Sequence, residues 1–136
     1  MKDKLNEIMN KEYDALQKML ILLEQQYDLY IKKDIFGLEK IVEKIEKQNV
    51  EIARAEMERR KLVGSNSMKQ LVFSFQDSAL EDNFRRVKLL LENLKHQKET
   101  NSLLIKQGLV FTNKMLAVLS PKRNANVYNN SGKITK

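Results

Sequence analysis

The sequence has no cysteine, no tryptophan, one proline and four glycines in 136 residues. Without cysteine there is no disulfide scaffold and no thiolate zinc site, a composition that suits a reducing cytoplasm. The scarcity of Pro121, Gly37, Gly64, Gly108 and Gly132 leaves few points at which a helix must stop. Glycine-rich phosphate loops are missing too. No serine has the base and orienting group that a nucleophile needs. Long apolar runs are also lacking. Uncharged runs such as residues 19–23 and 89–91 fall far short of the roughly 20 residues needed to span a bilayer. The first residues, Met1 to Glu7, carry charges throughout and no apolar leader. A cytoplasmic protein that does not insert into a membrane is expected, with no cofactor and no small-molecule substrate.

What is present is charge, unevenly placed. The net charge is +7. All 18 acidic residues precede Thr100, together with 19 of the 25 basic ones. Lys106, Lys114, Lys122, Arg123, Lys133 and Lys136 then follow with no acidic residue among them. Such asymmetry fits either an acidic partner or a solvated basic tail.

Leu, Ile, Lys and Glu recur at helical spacing. A first helix is expected over residues 3–33, with Leu5, Met9, Leu16, Leu23 and Tyr30 on one stripe and Tyr13, Leu20 and Tyr27 beside it. This near-heptad repeat suits helices that pack lengthwise. Asp34 reads as the N-cap of a second helix over residues 35–63. Its stripe is Leu38, Ile41, Val42, Ile45, Ile52 and Leu62, and Glu56 and Arg59 are placed to pair. Gly64 to Ser67 breaks the pattern. Residues 68–75 read as a short helix or a hairpin connector. Ser78 and Glu81 form a capping box for a third long helix ending near Leu119, before Ser120-Pro121. The expected fold is all-α: an elongated antiparallel bundle of three long helices with a short connector helix. Residues 1–120 form the domain, and residues 121–136 a flexible, disordered basic tail.

Little chemistry is visible. Glu92, His96 and Glu99 share a helical neighbourhood, but a solvent-facing histidine explains them better than a metal site. Most aromatics fall on apolar stripes rather than among arginines, which places nucleic-acid binding last among the options. An enzyme is not expected.

The second half of the third helix departs from simple patterning. The stripe Leu94, Asn101, Ile105, Gly108, Met115 and Leu119 reads as core. Leu103, Leu104, Leu109, Val110, Phe111, Leu116 and Val118 are apolar as well. A helix apolar nearly all round is covered on every side by something. That cover is a foreign partner or a second copy in a homodimer.

Residues 101–111, NSLLIKQGLVF, resemble the last helix of FlgN-type flagellar export chaperones: an asparagine, two aliphatics, a leucine soon after, then further apolar residues. The Leu-rich first helix and Glu56 to Arg59 are similar to that family as well. So is the tail Tyr128-Asn-Asn-Ser-Gly132, although Asn129 stands where a glycine usually follows the tyrosine. The resemblance implies a cytoplasmic chaperone for hook-associated (hook–filament junction) proteins. Such a chaperone binds their C-terminal helical regions, prevents premature assembly and delivers them to the flagellar export gate. It implies client binding by Asn101, Leu103, Leu104, Leu109, Phe111, Met115, Leu116 and Leu119, and gate docking by Tyr128. A dimeric coiled-coil adaptor ranks second, and a basic nucleic-acid binder third. Steep salt dependence would mark the third.

Overall fold

The computed structural model describes residues 1–119, and every element among them is helical: α1 (Lys2–Ile31), α2 (Ile35–Val63), α3 (Met68–Ser74) and α4 (Ser78–Leu119). The chain divides into two compact units, Met1–Asn101 and the part from Ser102 onward. The expected tail, with Tyr128, lies outside the described residues.

Local chemistry sets the helix boundaries. α1 closes without glycine. Asp34 N–H donates to the Leu29 carbonyl and Lys33 N–H to that of Tyr30. This paired return requires a left-handed residue, and Lys33 supplies it at φ 57°. Asp34 then caps α2, its carboxylate accepting from Gly37 N–H at 2.9 Å. A Cβ on residue 37 would lie 2.6 Å from Leu29 Cδ2, so the hairpin closes tightly there. Gly64 ends α2 at φ 65°, a conformation that favours glycine. Ser67 caps the two turns of α3.

The expected capping box at Ser78 and Glu81 gives way to a cap one residue earlier. Asp77 Oδ1 accepts from Leu80 N–H at 3.1 Å, and Lys2 Nζ lies 3.0 Å from Asp77 Oδ2. Both aspartate and serine can cap. Asp77 also brings a charge to the positive end of the helix dipole and gains an ion pair.

Side-chain bonds fix the directions in the first unit. Gln48 reaches the Ala15 carbonyl, Arg59 pairs with Glu12 and Lys11 with Glu58, so α2 runs antiparallel to α1. Asn83 bonds Asn6 and Asn10, while Asn101 bonds Leu23 and Gln26. α4 therefore runs parallel to α1. Two apolar clusters fill the seam. Leu5, Met9, Val63, Val72 and Leu80 gather where α3 covers one end, with Phe73 and Phe84 edge to face at 6.1 Å. Leu16, Met19 and Leu23 meet Leu90 and Leu94 farther along. Each cluster withdraws apolar surface from water, the main force for packing these helices.

Several stripe expectations need correction. Val42 is exposed, and so are Ile105, Met115 and Leu119. Phe36 and Phe111 are exposed rather than core. Two arginines do sit on aromatic rings, Arg86 over Tyr13 at 3.7 Å and Arg85 over Phe73 at 5.3 Å. Glu56 pairs with Arg59 at 3.7 Å as expected, yet the closer partner of Arg59 is Glu12 at 3.1 Å.

Two carboxyls titrate abnormally, in opposite senses. Burial raises Glu12 despite the opposing Arg59 charge. Its contribution to stability is therefore complete below the ordinary carboxyl range and falls as pH rises through its raised folded value. The Leu80 amide, followed by Lys2, lowers Asp77. Its contribution is present above the ordinary range and is lost as pH falls through the depressed value.

Two predictions follow from these contacts. Asp77→Ala should lower Tm at neutral pH, by an amount that shrinks on acidification through the carboxyl range. Ser78→Ala should leave Tm nearly unchanged, and a larger loss for Ser78→Ala would restore the capping box. Asn101→Ala should lower the unfolding free energy by about 1–2 kcal/mol in urea titration, since it deletes a buried, fully bonded amide. An unmoved midpoint would show that this layer holds nothing.

Candidate functional site

Asn101 and the apolar residues that follow it have different surroundings. Asn101 is only 4% exposed. Its amide donates to the Leu23 carbonyl at 2.7 Å and to Gln26 Oε1 at 2.9 Å, and its own oxygen accepts from Gln97 at 2.9 Å. A buried amide is tolerated when bonded in this way. Asn83 lies eighteen residues earlier, about five helical turns. It therefore shares the α1-facing edge with Asn101, and it is also buried and bonded. Asn101 is thus a seam residue of the first unit, with no free polar group to offer a ligand.

The second unit, described from Ser102 to Leu119, is the last part of α4. Leu103, Leu109, Phe111, Met115, Leu116 and Leu119 are all exposed, reaching 65% at Phe111 and 73% at Leu119, and Leu104 is half-buried. Among the described residues of this unit there is one helix and no second element on which to close an apolar face. At about 100° per residue, Leu104, Leu109, Phe111, Met115, Leu116 and Leu119 fall on one half of the cylinder. Ile105 and Val118 lie among them. Leu103 and Val110 fall on the other half with Lys106 and Lys114. The expectation of apolar residues nearly all round thus resolves into a broad apolar face and a basic, mixed one. Thr112 bonds back to the Gly108 carbonyl at 2.9 Å, which keeps its hydroxyl satisfied on the apolar side.

α4 contains an 18-residue segment long and apolar enough to cross a bilayer, none of it buried. Isolated lysines interrupt the segment, so no unbroken apolar run in the sequence marks it.

Elsewhere the described residues offer little for catalysis. No group of three or more His, Asp and Glu is placed to hold a metal, and His96 is exposed. Two clefts of the first unit lie along α1 and α2, one of them reaching Leu91 of α4, and are lined by paired charges such as Lys11 and Glu58 or Arg59 and Glu12. The chemistry available to the exposed half of α4 is apolar docking, framed by positive charge.

Comparison with known proteins agrees with this geometry. Residues 1–136 match the model of the family described as FlgN protein. No curated protein and no solved structure matches the chain. The match runs the full length of the chain and coincides with an all-helical fold that presents an uncovered apolar helix. The chain therefore belongs to the FlgN family of flagellar export chaperones.

Proposed function

We propose that this chaperone works in the cytoplasm as a non-enzymatic carrier. It binds the C-terminal helical region of hook-associated, hook–filament junction proteins, keeps them from assembling early and delivers them to the export gate. The observation that carries the proposal is the exposed apolar face of α4 between Ser102 and Leu119. An amphipathic client helix laid along that face would cover Leu104, Leu109, Phe111, Met115, Leu116 and Leu119, while Leu103, on the other half of the helix, would need a client that wraps further round. Such helix-on-helix docking uses apolar anchors at helical spacing. Asn101 contributes indirectly, by fixing α4 on α1 immediately before the docking face begins. Tyr128 is assigned to gate docking on the family resemblance.

A second copy of the chain is the alternative occupant, since a symmetric pair would bury the same leucines. The two are separated by sedimentation with and without a junction-protein fragment. A tight dimer at low concentration that the fragment does not dissociate would favour the dimeric adaptor.

Phe111→Asp should weaken binding of a C-terminal junction-protein fragment by about thirtyfold or more, the scale of losing a central aromatic anchor. The helical circular dichroism should be unchanged, because Phe111 is largely exposed. A folded variant that binds with native affinity in calorimetry would remove the face from the site. Tyr128→Ala should spare that affinity and reduce secretion of the client. Equal loss of both would show that carrying and delivery are not divided between α4 and the tail.

A further inference from the structure

The apolar segment of α4 has a second physical use, independent of any client. We propose that α4 from Ser102 to Leu119 binds the surface of an anionic lipid bilayer whenever no protein covers its apolar face, and that it lies along the surface rather than crossing it.

Three observations carry this. First, α4 contains a stretch with the length and composition of a membrane-crossing helix, and none of it is buried. Second, the only charged residues in 102–119 are Lys106 and Lys114. Both fall on the half of the helix opposite Leu104, Leu109 and Leu116. Third, the positive excess is local. Acidic and basic residues nearly balance before Thr100, and no acidic residue follows it.

Orientation follows from length and charge. Eighteen residues at 1.5 Å each span about 27 Å, slightly less than the roughly 30 Å of bilayer hydrocarbon. Crossing would also place both lysines inside the hydrocarbon, where ammonium groups are strongly disfavoured. Lying flat avoids both problems. The apolar face enters the boundary between headgroups and acyl chains, and the lysine stems carry their ammonium groups up to the phosphates. Charge complementarity selects an anionic surface over a neutral one. Because lipid and a client helix would use one face, they exclude each other. The lipid proposal nevertheless stands or falls without any client present.

The absence of tryptophan provides the probe. Full-length Phe111→Trp carries a single indole, and its emission should shift to the blue on titration with mixed phosphatidylglycerol–phosphatidylcholine vesicles. Pure phosphatidylcholine vesicles should produce little shift. Lys106→Gln and Lys114→Gln should each reduce partitioning to the anionic vesicles by about fivefold, and added salt should act in the same direction. Leu116→Asp in the same background should abolish the shift with helical content retained. No shift, equal partitioning to neutral vesicles, or partitioning indifferent to Leu116→Asp would overturn the proposal. So would a stable dimer by sedimentation that ignores vesicles, which would assign the face to a second copy. Calorimetry with a junction-protein fragment in vesicle-free buffer tests the chaperone proposal separately, so failure of one leaves the other standing.

Discussion

The seam between α1 and α4 depends on amides as much as on leucines. Asn83 and Asn101 sit on one edge of α4, five turns apart, and each reaches across to α1. Between them Leu90 and Leu94 close on Leu16, Met19 and Leu23. Leucines tolerate sliding by a turn, since one apolar contact is much like another. A buried amide does not, because a one-turn slip would leave its donors unpaired in a dry environment. The asparagines therefore set register while the leucines supply most of the attraction, a division familiar from buried asparagines in coiled coils.

That register determines where the exposed apolar stretch begins. Asn101 is the last buried residue of the first unit, and from Ser102 the apolar residues of α4 are exposed or half-buried. A chaperone needs apolar surface that remains accessible without pulling its own fold apart. Here the first unit is held by two apolar clusters and its own polar locks, none of which includes Leu109, Phe111 or Leu119. The basic character of the same stretch adds long-range attraction without adding apolar area.

Much of this was legible in the sequence, and the misses have physical causes. The bounds of α2 follow directly from Asp34 and Gly64, because capping chemistry is local. Leu5, Met9, Leu16 and Leu23 announce the core face of α1 by their spacing. The start of α4 was misplaced by one residue because Asp77 and Ser78 are both good caps, and only Lys2, distant in sequence, favours the aspartate. The stripe beyond Asn101 looked like core because periodicity reports that a face is apolar, not whether anything covers it. Asn101 itself reads as a motif residue in sequence, whereas its burial and three bonds depend on α1, some 75 residues away. Arg86 over Tyr13 was invisible for the same reason.

The two pairings of α1 differ in how they can form. Polar bonds between α1 and α2 span sequence separations from 33 to 47, and the approach of Leu29 to Gly37 shortens this to eight at the turn. That hairpin can zip outward from its turn, each contact shortening the loop that the next must close. The hydrogen bonds between α1 and α4 all span 73 to 78 residues, because the helices are parallel. There the first contact bears nearly the whole entropy of closing a long loop, and later ones add almost none. Docking of α4 on α1 is accordingly all-or-none, a single cooperative event after the hairpin has formed. Its reversal would expose Leu16, Met19, Leu23, Leu90 and Leu94 together, since one cluster holds them all.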